Sequence, residues 1–252
     1  MPSRDPARGN ALLVACALGL LAAPLTPARA IDGPCPKTLW SATRLLLVVG
    51  RDMSGDQATA RRFERTANDS QWREVHSAMP VAIGGHGLGW AWSQKDLAET
   101  GEPTKIEGDK RTPAGVFAIG PAFGFAADGP GRGYLPLKQS QSICVNDPRS
   151  ARYNEIVAKG KVDAGVSRET MSEISLYRRG LTVDYPTSRE EKGGSCIFIH
   201  VWRRRDAPTL GCLAFDEDDV VELQTWAAEA PAVVAILPRQ ALERLKSCLP
   251  PQ

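Results

Sequence analysis

Apolar and polar positions alternate in short runs along most of this chain. "RLLLVVGRD" (Arg44 to Asp52) is short and rich in branched aliphatics, which predicts a strand. "WREVHSAMPVAIGGHGLGW" keeps an extended pattern up to Ile83 and then breaks into glycines. "TPAGVFAIG" (Thr112 to Gly120), "GLTVDY" (Gly180 to Tyr185), "SCIFIHVW" (Ser195 to Trp202) and "AVVAILP" after Pro231 predict further strands. A period of 3.6 stands out in "DEDDVVELQTWAAEA", where Val220, Leu223 and Ala227 share a face. Acidic residues crowd its first turn, where they favour the helix dipole. "SRETMSEISLYRR" is a second, weaker helix candidate. Many short strands with few helices predict an α+β, mainly β fold with a sandwich or barrel-like core, and we take a β-sandwich with peripheral helices as the expectation.

The first thirty residues have a different character. Arg4 and Arg8 precede the short apolar stretch "ALLVACALGLLAA" (Ala11 to Ala23), and "ARA" (Ala28 to Ala30) supplies small residues at a cleavage spacing. These are the three regions of a secretory signal peptide, so the protein is expected to be exported to the periplasm or cell envelope. "LVAC" (Leu13 to Cys16) is similar to a lipoprotein processing box, but the apolar run continues beyond Cys16, so no stable membrane anchor is expected. No later run of 18 apolar residues occurs.

Cleavage after residue 30 changes the charge and cysteine arithmetic. The whole chain has 31 basic and 29 acidic residues. Losing three arginines and one aspartate leaves a formal charge of zero, which argues against a nucleic-acid partner. The remaining residues 31–252 show neither linker nor repeat and suit one domain. They keep Cys35, Cys144, Cys196, Cys212 and Cys248. An odd count in an oxidising compartment suggests disulfides and one free thiol. We favour Cys35–Cys248, tying the ends, and Cys144–Cys196, tying a loop to the strand before His200. Alternatively, some of the five are simply small buried apolar side chains.

The unpaired residue would be Cys212, in "FIHVWRRRDAPTLGC", twelve positions after His200. A thiol becomes a good nucleophile only as thiolate, and a histidine at a strand end facing it supplies the base. Gly211 allows a sharp turn that aims successive backbone N–H groups at a carbonyl oxygen. Three plainer readings stand beside this one. His200, flanked by Ile199 and Val201, suits a core histidine. Cys196, His200 and Cys212, with Cys144 or Cys248, would make a zinc set, although without a tight CxxC knuckle. Arg203 to Arg205 suit a solvated loop, or else they bind substrate carboxylates. Arg203, Arg204, Trp202 and Thr209 are the candidate substrate-binding residues. The glycine cluster Gly84 to Gly89 lacks GxGxxG spacing and predicts a turn, with His86 at the surface.

"IFIHVW…PTLGCLAF" resembles the active-site signature of the L,D-transpeptidases (YkuD-like catalytic domains), and "EGDKRTPAGVFAIG" (Glu107 to Gly120) resembles the family's Thr-Pro-x-Gly-x-Phe strand. "GLGW" (Gly87 to Trp90) and "CVNDPRSARYNEIV" (Cys144 to Val157) are similar to segments of an exported bacterial branch. The resemblance covers most of residues 45–238. It implies thiol-based acyl transfer on peptidoglycan stem peptides without metal or cofactor. Cys212 is the implied nucleophile, His200 the base, and the N–H groups of Gly211 and Cys212 the oxyanion donors. Tyr177 or Tyr185 is implied as an auxiliary donor. Leu210 and Ala214 depart from the family pattern, standing where many members have a second histidine and an Arg or Asn. Two alternatives remain at this level: hydrolysis at the same site, as a carboxypeptidase or wall-adduct hydrolase, and a non-catalytic wall-binding domain in which Cys212 is oxidised or buried.

Overall fold

The computed structural model describes residues 35–66 and 71–251. The expected signal peptide and Cys16 lie outside them. In chain order the strands are β1 (Arg44–Gly50), β2 (Gln57–Glu64), β3 (Arg73–Glu74), β4 (Met79–Ala82), β5 (Leu88–Trp90), β6 (Thr112–Gly124) and β7 (Leu135–Pro136). There follow β8 (Ser142–Val145), β9 (Ile156–Ala158), β10 (Arg168–Thr170), β11 (Arg179–Asp184), β12 (Phe198–Val201) and β13 (Leu213–Phe215). Helix α1 (Glu217–Glu229), β14 (Ala232–Pro238) and the short α2 (Ala241–Arg244) complete the set.

The main sheet runs β1-β14-β6-β11-β12-β13-β4-β2, and β2 pairs again with β1. The pairing therefore closes into an eight-stranded ring, a barrel in place of the two stacked sheets of the expected sandwich. Closure removes the open edges that a sandwich leaves. β1 and β14 are buried along almost their whole length, which is why both read as continuous apolar runs. A separate three-stranded sheet, β10-β8-β9, lies off the ring.

Helix α1 forms where the pattern predicts it. Asp216 caps its N-terminus by accepting the Asp218 N–H, and Val220, Leu223 and Trp226 enter the main core. Gln224, also fully buried, donates from Nε2 to the carbonyls of Phe123 (2.9 Å) and Gly180 (2.8 Å), fastening the helix to β6 and β11.

The weaker helix candidate is corrected. Its residues form β10 and two 3-10 turns, Met171–Glu173 and Ser175–Arg178. Met171, Ile174 and Tyr177 repeat every three residues, the period of a 3-10 helix rather than 3.6. All three pack into the second apolar cluster, with Cys144, Cys196, Phe198 and Cys212.

The disulfides are Cys35–Cys248 and Cys144–Cys196, leaving Cys212 free. The second bond removes Cys144 and Cys196 from the zinc set considered above. No helix among the described residues is long and apolar enough to cross a membrane.

Candidate active site

β12 and β13 run parallel, with Ile199 opposite Leu213 and His200 opposite Ala214. Parallel neighbours need a crossover to bring the chain back to the same end of the sheet. The segment 202–212 is that crossover, and it explains the spacing of twelve: the turn that opens β13 presents Cys212 beside the strand carrying His200.

The turn is tightly specified. Gly211 has φ +145°, and a Cβ there would stand 2.9 Å from the Arg111 carbonyl oxygen, so only glycine fits. Thr209 Oγ1 accepts the Gly211 N–H at 3.0 Å and donates to the Cys212 carbonyl at 2.7 Å. The Thr209 backbone bridges to the glycine segment after β4, through Thr209 N–H to Ile83 O (2.9 Å) and Gly85 N–H to Thr209 O (3.0 Å). That segment makes the expected turn: Gly87 has φ +78°, and His86 is exposed, with Nδ1 bonded to the Asp109 carbonyl.

A cavity of about 760 Å³ brings together Cys212, His200, Tyr177, Glu169, Thr209 and Gly211, with Arg203 and Arg204 also in its wall. Trp202 does not line it. Trp202 is the half-buried residue directly after β12, its N–H spent on the Phe215 carbonyl at 2.8 Å. Thr209 lines the cavity, but its hydroxyl holds the turn that carries Cys212. Arg204 pairs with Asp206 at 2.6 Å, whereas Arg203 makes no ion pair among the described residues.

The Cys212 thiol donates to the Cys196 carbonyl (3.3 Å) and accepts the Phe198 N–H (3.4 Å). Burial first, then the Glu169 charge, pushes its pKa up to about 12, with the Phe198 N–H, the Tyr177 hydroxyl and the Lys105 charge acting against them. His200 Nδ1 lies 2.8 Å from the Val201 carbonyl oxygen, which only accepts. Nδ1 therefore carries the proton, and Nε2 keeps a lone pair. Burial pushes the imidazole down to about 4. The resting pair is consequently neutral thiol and neutral imidazole. Among the described residues no hydrogen bond joins them, a separation that apo sites often show.

Tyr177 connects the two. Its ring packs edge-on against His200 at 5.2 Å between centroids, and its hydroxyl reaches the Cys212 thiol while donating to Glu169 Oε2 at 3.0 Å. Tyr185, the other tyrosine considered, spends its hydroxyl on the Gly193 carbonyl. Gly211 also departs from the expectation, because its N–H is already taken by Thr209.

A family model described as the L,D-transpeptidase catalytic domain, YkuD, matches residues 66–236, more than half of the chain. The chain belongs to the YkuD family. Cys212, His200 and the cavity wall all fall inside the matched span. Two solved structures of the helical cell shape determining protein Pgp2 from Campylobacter jejuni, one of them a point variant, are similar at 14 and 15% identity. They cover 78% of this chain with TM-scores of 0.41 and 0.42. The chain spans about half the length of those proteins, 48 and 47%. No curated protein sequence matches.

Leu210 is highly exposed at the cavity rim and Ala214 is buried in β13 beside His200. Sequence reasoning missed Glu169, Glu107 and Lys105 in the cavity wall. Glu169 was hidden by the helical reading of its segment. Glu107 opens the quoted "EGDKRTPAG" motif, and that position was the available signal.

Proposed function

We propose that this chain is an exported cysteine-dependent L,D-transpeptidase, with residues 31–252 as its catalytic domain. Cys212 attacks the carbonyl of the diamino acid preceding the terminal D-alanine of a peptidoglycan stem tetrapeptide. Its proton passes to His200 Nε2 and then to the leaving D-alanine amine. An amine from a neighbouring stem resolves the thioester and forms the crosslink. The Cys212 N–H meets the oxyanion, since Thr209 occupies the Gly211 N–H and Tyr177 spends its one hydroxyl proton on Glu169. Arg203 is the cavity cation best suited to a substrate carboxylate, because Arg204 already has Asp206.

The observation that carries this reading is a free thiol and a buried imidazole with an unprotonated Nε2 lining one cavity. Cys212 is buried, as the wall-binding reading expects, but it carries no disulfide and borders the cavity, which favours the nucleophile reading.

The test is intact-mass spectrometry of residues 31–252 with a carbapenem, repeated on Cys212→Ala and His200→Ala. One stoichiometric adduct is expected, absent in the cysteine variant and slowed in the histidine variant. No adduct under reducing conditions, together with inertness of Cys212 to iodoacetamide, would sink the assignment. Incubation with stem tetrapeptides then separates crosslinking from hydrolysis.

A further inference from the structure

The cavity holds a carboxylate whose presence beside a nucleophilic thiol needs a reason. Glu169 sits in β10 directly opposite Cys144 of β8. Cys144 is bonded to Cys196, and the Cys196 carbonyl accepts a hydrogen bond from the Cys212 thiol. The small sheet and its disulfide thus deliver Glu169 to the thiol. Oε2 accepts from Tyr177, whereas Oε1 accepts no hydrogen bond and no ion pair reaches the carboxylate among the described residues. The buried cation in the cavity wall is committed elsewhere: Lys105 Nζ is held by Asp109 Oδ1 and the Ile106 carbonyl, both at 2.6 Å. Burial first, and then the negative charge of Glu107, raises the Glu169 pKa against the Tyr177 hydrogen bond, and Glu107 Oε2 itself serves Ser195 (2.7 Å) and Tyr153.

A negative charge at this place works against thiolate formation, and in the free protein it helps keep Cys212 protonated. A partly desolvated carboxylate without a counter-ion is costly unless the ligand brings one. The chemistry that fits is an ammonium group close to the scissile carbonyl, such as the unsubstituted second amine of a diamino acid.

We propose that Glu169 is the subsite for a substrate ammonium group beside Cys212, so that the substrate's own cation offsets the charge that holds the thiol inactive. This rests on Cys212 being the nucleophile, and it adds that the thiol is activated by the ligand rather than in advance. Glu169 then sets specificity: a donor with a masked amine both binds less well and leaves the thiol protonated.

Two measurements test it. First, binding of a stem tetrapeptide to Cys212→Ala is compared with binding of the same peptide N-acetylated on the diamino-acid side chain. The free amine should bind at least about tenfold more tightly, as expected for a charge-assisted contact, and Cys212→Ala/Glu169→Gln should lose that preference. Second, iodoacetamide alkylation of Cys212 in the free protein at one near-neutral pH should be several-fold faster in Glu169→Gln. A merely structural role would slow it or leave it unchanged. Equal binding of the two peptides, a preference that survives Glu169→Gln, or alkylation no faster in that variant would overturn the proposal. The peptide comparison needs no Glu169 variant, so poor folding of one does not protect the idea. The carbapenem adduct reports separately on the nucleophile: an adduct with no amine preference leaves the transpeptidase reading standing and removes the subsite.

Discussion

His200 is 5% exposed, and its imidazole is held at about 4, well below its ordinary 6.5, mainly by burial. The folded protein refuses a proton that the unfolded chain accepts. The stability contributed by neutral His200 is therefore complete above pH 6.5 and lost as pH falls towards 4, on the order of 3 kcal/mol in all. Urea midpoints measured across that window should drop more steeply for the wild type than for His200→Gln. The same burial made this residue hard to read in the sequence, because flanking Ile199 and Val201 suit a core histidine equally well. The spacing to Gly211 and Cys212 left both readings open, and it was the family resemblance that favoured the catalytic one. Nothing comparable pointed to Glu169, whose partners Tyr177 and Cys144 meet it only after the chain has folded.

Elements whose burial follows one period were the easiest to anticipate. β1, β12 and β14 lie within the runs expected for them, because a strand covered on both faces is apolar almost throughout, while β6 extends to Gly124 past its run and β11 begins one residue early at Arg179. β2 went unrecognised because "QATARRFE" carries Arg61 and Arg62 in its middle. Arg62 is buried there, reaching Glu222 of α1 at 2.7 Å. Charged side chains with partners on another element break the alternation on which such readings depend. Gln224 is a similar case on α1. Gln224→Leu would leave the Phe123 and Gly180 carbonyls without its amide, at about 1–3 kcal/mol for each buried acceptor. Gly180 stands opposite His200 in the ladder. Denaturant unfolding of the variant should show a loss of that order, accompanied by slower acylation of Cys212.

For the molecule as a whole, the two disulfides have separable consequences. Cys35–Cys248 spans 213 residues, and the loss of unfolded-chain entropy gives it about 5 kcal/mol. Cys144–Cys196 spans 52 and gives about 4 kcal/mol by the same reasoning. Replacing Cys35 and Cys248 by serine should lower the melting temperature while leaving the Cys212 acylation rate unchanged at temperatures where the fold persists. Replacing Cys144 and Cys196 should lower both, because that bond joins the strand carrying Glu169 to the segment whose carbonyl meets the thiol. The cysteine count and the expected compartment made both pairs legible. The closed barrel was not, since alternation reveals which face of a strand is buried but not whether the first strand meets the last.

That meeting has a consequence for how the chain acquires its shape. β14 is inserted between β1 and β6, pairing residues 44–50 with 232–238. A chain emerging from the ribosome or through a membrane pore, amino end first, cannot complete its barrel until the last strand has arrived. Early strands must wait with exposed flanks for a partner almost two hundred residues away, a contact order that favours slow folding. Vectorial, piece-by-piece maturation is closed to this topology, and the Cys212 turn, lying late in the chain, is assembled almost together with the ring that supports it.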